Sequence, residues 1–433
     1  MINKKQQTHT TAIGATDNKA HAVAIQSDGK IVLAGYSYNG TDNNFAVARY
    51  NTDGSLDNTF DADGMVTTSF ELNSNGRAFA VTVQADGKIV VAGYYTNVDT
   101  DRDFALVRYN TNGSLDNTFG SGGIITTVID DGVDEAQSVV IRNDGKIVVV
   151  GYSFDFTTRV FTAVRYNIDG SLDNAFDSDG IVTTSINNND DAAYSAALQP
   201  DGKIVISGYT SGETYDFAII RYNIDGSLDN SFDRDGIVTT DFDASSEISY
   251  AIAIQTDGKI LAAGDFDNGI VYDFILVRYK TNGTLDNTFG IDGYVNTEMG
   301  ASSAEDVATC IALQSDGKIL VAGNTNDGSD MDFAIARYNS EITSGIHSTA
   351  NNYTTFNILP NPFSTKTVLQ WNYSAQSATL SIYNYFGQSV KEINNISGET
   401  ISLSRDNLSS GFYFIQLMEG NKIIFIDKII ITD

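Results

Sequence analysis

Apolar residues recur along the chain in short runs separated by polar turns, a pattern typical of strands rather than of helices. In the first part of the chain the apolar runs at residues 22–26 and 31–36 flank the turn Ser27-Asp28-Gly29-Lys30. Asp-Gly supplies the positive φ angles that a two-residue hairpin turn requires. The pattern therefore predicts an antiparallel hairpin.

This hairpin belongs to a repeat. Residues 45–50 and 65–68 predict two further strands, so that one unit holds four. A fixed period of this size is typical of an array of similar units that share a continuous core. The tripeptide Asp-Gly-Lys returns six times, 56 to 59 residues apart, beginning at Asp28, Asp86, Asp144, Asp201, Asp257 and Asp316.

The predicted strands are apolar on both faces, as residues 22–25 and 31–34 show. Each small sheet must therefore be covered on both sides. Radial stacking of the sheets does this, and six units of four strands then form a six-bladed β-propeller. A β-helix is the competing repeat architecture, but it usually has a shorter period and no hairpin in each unit. We predict an all-β chain with the propeller in residues 1–339.

The two ends of the repeat array suggest how the ring closes. The last unit stops at Tyr338 and lacks a fourth strand. Fifteen residues before Gln199 stands Thr184, in a fourth strand, and the same count back from Gln26 reaches Thr11. We therefore expect residues 8–11 to complete the sixth blade and remove an exposed sheet edge.

Some positions of the repeat hardly change. An Arg-Tyr pair ends the third strand of every unit, and the segment at residues 53–60 recurs almost unaltered in four later units. A feature that every blade carries serves the scaffold. We predict that Arg49 pairs with a repeated carboxylate such as Asp57.

These constant motifs resemble a known family. Asp-Gly-Lys-Ile-Val, Arg-Tyr-Asn and Gly-Ser-Leu-Asp-Asn-Thr-Phe are similar to the signature of the delta-60 repeat over residues 8–339. The resemblance implies a propeller-like extracytoplasmic module. It implies no catalytic residues, because the signature itself belongs to the scaffold.

The loops between the second and third strands, and those that lead to the next blade, differ in every unit. Both sets emerge on one face of a propeller, and variable loops on a rigid frame are typical recognition sites. Aromatic side chains beside carboxylates and amides suit sugar rings or peptides, although solvated loops without a ligand fit the composition equally well. A ring at the channel mouth is predicted from His21, Phe79, Gln137, Tyr194, Tyr250 and Thr309. The candidate ligand-binding residues are His21, Phe79, Tyr95, Tyr194, Tyr215, Tyr250 and Tyr272.

Charge narrows the range of partners. The chain has 55 acidic and 26 basic residues, a net charge of −29. Such a field disfavours nucleic acids and anionic membranes, whereas cations and neutral polymers remain compatible. Cys310 is the one cysteine, and the other units carry Ala or Ser at its position. A buried structural thiol is therefore expected there.

No catalytic or metal-binding motif is apparent. His-Glu-x-x-His, a nucleophile elbow and a phosphate-binding glycine loop are all missing, so we expect no catalytic residues, no metal and no cofactor. Asp61-Ala62-Asp63-Gly64 is similar to the start of a calcium loop, but no bidentate Glu follows, and a turn is predicted. Paired carboxylates for glycoside cleavage remain open, because their geometry is invisible in a sequence.

A second domain follows the repeats. Residues 340–356, rich in Ser, Thr and Asn, are typical of a linker. Strand-like stretches at 367–371, 378–383, 400–403, 412–417 and 423–431 predict a small Ig-like β-sandwich in residues 357–433. Leu359-Pro360-Asn361-Pro362-Phe363, Leu408-Ser409-Ser410-Gly411-Phe412-Tyr413 and Lys428-Ile429-Ile430-Ile431 resemble a type A sorting domain of the type IX secretion system.

That resemblance implies export across the outer membrane of a Gram-negative bacterium, with the type IX machinery as a partner. Crossing the inner membrane first requires a signal peptide, and residues 1–14 have no apolar stretch of that kind, so we expect the true start to lie upstream. The expected product is a secreted or cell-surface monomer, without a transmembrane segment, that binds a glycan or protein ligand. The alternatives are a polysaccharide-degrading enzyme that uses loop carboxylates and a structural surface-layer protein.

Overall fold

The structure is a computed structural model. It describes residues 10–14, 17–70, 74–96, 101–242, 246–267, 269, 271–299, 305–326, 330–340, 356–384, 389–420 and 422–432. The chain divides into two compact units, Met1–Glu341 and Ile342–Asp433. All regular elements in the described residues are strands, and none of these residues forms a helix suited to crossing a membrane. The prediction of an all-β chain, a six-bladed propeller followed by an Ig-like sandwich, is confirmed.

Blades 1 to 3 are antiparallel four-stranded meanders in which each strand pairs with the next. Blade 1 contains β1 (Asn18–Ile25), β2 (Ile31–Tyr38), β3 (Asn43–Tyr50) and β4 (Met65–Thr68). Blade 2 contains β5 (Gly76–Val83), β6 (Ile89–Thr96), β7 (Arg102–Tyr109) and β8 (Ile124–Thr127). Blade 3 contains β9 (Val133–Ile141), β10 (Ile147–Phe154), β11 (Arg159–Tyr166) and β12 (Ile181–Thr184).

Blades 4 and 5 repeat this meander, and blade 6 has three strands in the described residues. Blade 4 contains β13 (Asp191–Leu198), β14 (Ile204–Ser211), β15 (Tyr215–Tyr222) and β16 (Ile237–Thr240). Blade 5 contains β17 (Ser246–Ile254), β18 (Ile260–Asp267), β19 (Tyr272–Tyr279) and β20 (Tyr294–Thr297). Blade 6 contains β21 (Glu305–Leu313), β22 (Ile319–Asn326) and β23 (Met331–Tyr338).

Alternate residues of each second strand pack against opposite neighbours. On β6, Val91 joins a core that contains Val32 of blade 1, whereas Val90 joins a core that contains Val149 of blade 3. All four of these side chains are fully buried. Because strand residues alternate between faces, a strand covered on both sides must be apolar throughout. This explains the continuous apolar runs in the sequence.

A buried arginine ties each of the first five blades to the next one. In blade 2, Arg108 Nε lies 2.7 Å from Asp116 Oδ2, and Lys88 Nζ lies 2.9 Å from the same oxygen. Arg108 Nη1 donates to the backbone carbonyl of Ile168 in blade 3, 2.6 Å away. The predicted pairing of the repeated arginine and aspartate is thus confirmed. It occurs in Arg49–Asp57, Arg108–Asp116, Arg165–Asp173, Arg221–Asp229 and Arg278–Asp286.

A second link between blades joins a fourth-strand threonine to a tyrosine of the following blade. Thr127 Oγ1 of blade 2 lies 2.7 Å from the hydroxyl of Tyr166 in blade 3. Thr11 makes the same contact, because its Oγ1 lies 2.7 Å from the Tyr50 hydroxyl of blade 1. Thr11 therefore stands where a fourth-strand threonine would stand, as the residue count predicts.

The closing strand itself stays a prediction. Thr8 and His9 lie outside the described residues, and Thr10 and Thr11 are not part of a described strand. The outward side chains of blade 6 are open to solvent, with Phe333 fully exposed and Ile335 64% exposed. Val23 and Ile25 of blade 1 are likewise 61% and 73% exposed. These are the two apolar faces that closure of the ring would cover.

The expectation of a buried Cys310 thiol is wrong for the described structure, where this side chain is exposed. Its counterparts Ser138 and Ser195 face the following blade, and each accepts a hydrogen bond from it at 3.3 Å. Cys310 lies at the same position on the outer side of blade 6. Its exposure follows from the uncovered face of that blade.

The C-terminal unit is a five-stranded antiparallel sheet folded around its own core. Trp371, Leu380 and Ile415 are among the buried residues there, and Trp371 Nε1 donates to the Gly398 carbonyl at 3.0 Å. Two predicted strands, at 367–371 and 378–383, are a single long strand that changes partners along its length. The strands are β24 (Phe356–Leu359), β25 (Lys366–Tyr383), β26 (Ser389–Ser404), β27 (Gly411–Glu419) and β28 (Lys422–Ile431).

We propose that residues 8–11 complete blade 6 and bring its outer face against blade 1. Cys310 then becomes buried, so its alkylation in the intact chain should be slow. Deletion of residues 1–14 should accelerate the reaction by about tenfold or more, because opening exposes the thiol. The urea-unfolded chain gives the rate of a fully accessible thiol. Fast and equal alkylation of the intact and shortened chains would contradict closure.

Replacement of Asp116 by Ala should destabilise the propeller strongly. It leaves the buried Arg108 guanidinium without its carboxylate, and such a loss typically costs about 3–5 kcal/mol. Asp86→Ala is the matched control, because the Asp86 side chain is 58% exposed and its ion pair is long, 3.9 Å to Lys88 Nζ. We expect it to cost less than about 1 kcal/mol. Urea denaturation of both variants measures the difference, and similar losses would show that the buried pair has no special role.

Candidate ligand-binding site

Each blade carries a β-bulge in its first strand. In blade 2 the pairing passes from Ala78 opposite Gly93 to Ala80 opposite Ala92, which leaves Phe79 as the extra residue. First strands of consecutive blades pack against one another, so the bulges lie along the inner side of the array. The extra residues are His21, Phe79, Gln137, Tyr194, Tyr250 and Thr309, the six predicted for a central ring.

A glycine opposite each bulge makes the bulge possible. A Cβ at Gly93 would lie 1.9 Å from the carbonyl oxygen of Arg77. No real Cβ tolerates that distance, so any other residue would force the two strands apart. The same approach, at 1.8 to 1.9 Å, occurs at Gly35, Gly151, Gly208, Gly264 and Gly323.

A tyrosine follows this glycine in four consecutive blades, and sequence reasoning missed its importance. These residues are Tyr36, Tyr94, Tyr152 and Tyr209, with Asp265 and Asn324 in the last two blades. The repeated Gly-Tyr pair was a detectable signal. In three of these blades the tyrosine ring lies beside the bulge side chain, with centroids 5.7 to 6.0 Å apart: Tyr36 with His21, Tyr94 with Phe79 and Tyr209 with Tyr194.

The first aromatic cluster joins blades 1 and 2. The rings of His21 and Phe79 meet edge to face with centroids 5.1 Å apart, and the Tyr36 ring lies 5.8 Å from His21. The Arg77 guanidinium lies over the Tyr36 ring at 4.8 Å. The His21 side chain is exposed but partly desolvated by its neighbours, which lowers its pKa, and the charges of Lys19 and Arg77 lower that pKa further. Lys19 and Arg77 thus lie close enough to His21 to act on its charge.

An ion pair between blades 2 and 3 lies next to the first aromatic cluster. The Arg102 guanidinium lies over the Tyr94 ring at 4.6 Å and forms an ion pair with Glu135. Glu135 also accepts a hydrogen bond from Gln137 Nε2 at 3.2 Å. Burial raises the pKa of Tyr152, and the neighbouring Glu135 raises it further, so this phenol stays protonated.

The second aromatic cluster lies on blades 4 and 5, with Arg159 of blade 3 beside it. The rings of Tyr194 and Tyr250 lie 5.1 Å apart, and Tyr209 lies 6.0 Å from Tyr194. Arg159 Nη1 contacts the Tyr209 hydroxyl at 3.2 Å and Asp190 Oδ2 at 2.9 Å. Aromatic faces, phenolic hydroxyls and a fixed ion pair thus converge at one place. Such a surface can stack a ring and hydrogen-bond its substituents.

The structure brings together most of the candidate residues. His21 and Phe79 form the first cluster, and Tyr194 and Tyr250 form the second, which Tyr215 joins through the Tyr209 ring at 4.9 Å. Tyr272 begins β19 at the margin of this cluster, paired with Asp267. Tyr95 lies elsewhere: it is 8% exposed and packs in the core between blades 1 and 2. The strands continue further into the variable loops than the sequence indicates, and Tyr95 belongs to such a strand.

Buried carboxylates brace the connections that lead to the variable face. Asp134 Oδ2 accepts the Ile129 amide at 2.8 Å, and Asp191 Oδ2 accepts the Ile186 amide at 2.6 Å. Glu247 stands at the corresponding place in blade 5, and its carboxylate oxygen lies within 4.8 Å of those of Asp216 and Asp241 from blade 4. These three residues could hold a cation, although acidic groups of this kind are common in so acidic a chain. The turn at Asp63 uses its carboxylate to accept the Met65 amide at 2.9 Å, as a turn rather than a calcium loop requires.

Comparison with family models identifies both units. The model described as a domain of unknown function (DUF5122) β-propeller matches residues 26–60, 84–119, 142–176, 199–232, 255–289 and 314–341. A secretion system C-terminal sorting domain matches residues 357–432. The chain therefore belongs to the DUF5122 β-propeller repeat proteins and carries a type IX sorting domain. Both resemblances noted in the sequence are confirmed.

The sorting domain defines where the protein works. It is handled by the type IX secretion machinery of a Gram-negative bacterium and is exported to the cell surface or the medium. The propeller is thus the exported part that meets extracellular molecules.

Other comparisons are more distant. No curated protein sequence matches the chain. A protein of unknown function from Dyadobacter fermentans is 12% identical, with 75% of this chain and 96% of that chain covered and a TM-score of 0.42. The polysaccharide lyase Uly1 is 11% identical over 93% of each chain, with a TM-score of 0.41. A periplasmic gluconolactonase from Pseudomonas aeruginosa is 13% identical over 79% and 96%, with a TM-score of 0.34. None of these likenesses carries information on function.

Two sets of buried carboxyls have opposite pKa shifts. Burial raises the pKa of Asp134 to about 7, and burial raises those of Asp191 and Asp265 to about 6. At Asp286 burial also acts to raise the pKa, but hydrogen bonds from Thr288 and Lys259 outweigh it and bring the pKa down to about 2. Above the pKa of an unfolded aspartate, the folded chain still holds the protons of Asp134, Asp191 and Asp265, which the unfolded chain has released. Below that pKa, Asp286 is still ionised in the folded chain but protonated in the unfolded chain.

The melting temperature should therefore be highest at about pH 4, near the pKa of an unfolded aspartate, and fall on both sides. Below this pH the stability from Asp286 is lost as pH falls toward 2, whereas above it the stability from Asp134 is lost as pH rises toward 7. Asp134→Asn, which keeps an acceptor for the Ile129 amide, should flatten the decline between about pH 4 and 7. Asp86→Asn makes the same charge change at an exposed site. Equal declines in the two variants would attribute the effect to net charge alone.

Proposed function

We propose that the propeller is a non-catalytic module that binds a glycan outside the cell, across the bulge residues of blades 1 to 5. The observation that carries the proposal is the pair of aromatic clusters, His21 with Phe79 and Tyr194 with Tyr250, each with rings 5.1 Å apart. A rigid bulge in every first strand holds these rings in place. Recognition therefore needs little ordering of side chains, which is the main cost of binding on flexible loops.

The chemistry around the rings favours sugars. Tyr194 and Tyr250 are only half-buried, so their faces are available to the apolar side of a sugar ring. Asp190, Asp265 and the tyrosine hydroxyls supply acceptors and donors for sugar hydroxyl groups. The spread of the two clusters over several blades suits an extended chain better than a single small molecule.

A second candidate function is cleavage of the bound polysaccharide. Asp265 lies beside Tyr250, and burial raises its pKa to about 6, a value that suits a general acid. This carboxyl lies within the same cluster, so a bound glycan would lie near it. An enzyme would use Asp265 as the proton donor, and product formation distinguishes the two functions.

The test is a panel of polysaccharides examined for both binding and release of reducing ends. Tyr194→Ala and Tyr250→Ala should each weaken binding by about 1–3 kcal/mol, because a ring at a central contact contributes that much. Phe412→Ala is the control, since Phe412 is an exposed aromatic of the C-terminal unit. Melting curves of each variant separate lost binding from lost folding.

The outcomes are distinct. Binding that depends on the two tyrosines, without new reducing ends, supports the binding module. Cleavage that Asp265→Asn abolishes supports the enzyme. Full affinity in both tyrosine variants would contradict the site, and failure of every polysaccharide to bind would contradict the function.

A further inference from the structure

Basic residues on the variable face gather in one half of the propeller. Lys19 and Arg77 stand two residues before the bulge in blades 1 and 2, and Arg102 and Arg159 begin the third strands of blades 2 and 3. The positions that correspond to Lys19 in blades 4 to 6 are apolar, at Ala192, Ile248 and Val307. The corresponding position in blade 3 holds Glu135, so at these two positions the basic residues of the described chain lie on blades 1 to 3.

Arg77 differs from the other arginines of this face. Arg102 is paired with Glu135, and Arg159 is paired with Asp190. Arg77 is half-buried and lies over the Tyr36 ring, but among the described residues it forms no ion pair, and its Nε is buried without a hydrogen-bond partner.

An unpaired guanidinium in a partly buried position is unfavourable, because it loses water without gaining an acceptor. The chain has 55 acidic residues, and every repeated scaffold arginine in blades 1 to 5 pairs with one of them. The missing carboxylate at Arg77 is therefore best supplied from outside the chain. Two other arginines without ion pairs in the described part of the chain, Arg234 and Arg337, are exposed and incur no such cost.

The surroundings of Arg77 complete a site for an anionic sugar. Lys19 and His21 are exposed beside it on β1, and Phe79 offers a ring in contact with His21. One carboxylate stands nearby, because the Tyr36 hydroxyl donates to Asp17 Oδ2 at 3.3 Å. Asp17 is exposed and is turned to the Tyr36 hydroxyl, with no ion pair to Arg77 in the structure.

We propose that Arg77, with Lys19, binds the acidic group of a charged sugar residue, while His21 and Phe79 contact its ring. This inference rests on the proposed glycan binding and names its chemical class: a glycan that carries carboxylate or sulfate groups. The planar guanidinium matches the two oxygens of either group in a bidentate pair. The net charge of the chain does not prevent this, because fields of exposed charges are screened beyond about 8 Å at physiological salt.

The experiment compares three oligosaccharide sets of equal length by calorimetry in 0.15 M NaCl, roughly the salt at which that screening holds. The sets are galacturonate oligomers, sulfated dextran oligomers and neutral cello-oligomers. The intact protein should bind at least one acidic set about tenfold more tightly than the neutral set, as a charge-assisted hydrogen bond predicts. Arg77→Gln should abolish this preference, and Arg77→Lys should keep part of it. Arg234→Gln, the same substitution at an exposed turn, should leave it unchanged.

Each result decides the matter. Preference for galacturonate identifies a carboxylate as the group bound, and preference for sulfated dextran identifies a sulfate. Equal affinity for acidic and neutral sets, or a preference that survives in Arg77→Gln with an unaltered melting curve, overturns the inference. If neutral sugars bind equally well and still depend on Tyr194 and Tyr250, the glycan-binding function stands without it. If no set binds, both fail.

Discussion

The buried pair of arginine and aspartate at each blade junction is the interaction on which the rest of the propeller depends. Apolar packing alone would let neighbouring sheets slide, since it has no direction. Arg108 removes that freedom, because its Nε is bound to Asp116 in its own blade and its Nη1 to the Ile168 carbonyl in the next. Burial makes the pair costly to break, and the Asp116 carboxylate is further held by Lys88 and Thr118. The same contacts in five blades set one spacing and one orientation for the whole array.

Because these contacts hold the blades together on one side, the opposite side is free to differ. The β-bulge shows how. It requires a glycine across the ladder and nothing of the extra residue itself, so Gly93 is constant among the blades whereas the position of Phe79 varies from His to Gln, Tyr and Thr. A bulge also turns its side chain out of the regular alternation of the strand. The backbone of each blade thus presents one freely chosen side chain at the same place, which is a suitable basis for a recognition surface.

The sequence predicts the repeated features well and the individual ones poorly, for physical reasons. Six copies in one chain reveal which positions every blade needs, and from these the strands, the Arg49–Asp57 pair and the ring of bulge residues follow. Tyr95 was misplaced among loop residues because the period does not show where a strand ends, and here β6 continues through Tyr95 to Thr96. Arg102 and Arg159 were missed because only two of the six blades carry an arginine at this position, and their partners, Glu135 in β9 and Asp190 just before β13, come from the following blade. Contacts between neighbours that vary in both members leave no trace in a repeat.

The electrostatics of the variable face follow from the same division. Scaffold arginines are neutralised within the repeat, so their charge is absent from the surface. The remaining charge of the variable face depends on residues that differ from blade to blade. In this chain, Lys19 and Arg77 lie on blades 1 and 2, and Asp265 lies on blade 5. The fold does not determine this electrostatic field, because the charged residues that produce it occupy variable positions. Another chain with the same junctions and the same bulges could present a different set of charges and recognise a different molecule, so the chemistry of the ligand must be inferred from these few side chains and cannot be inferred from the propeller.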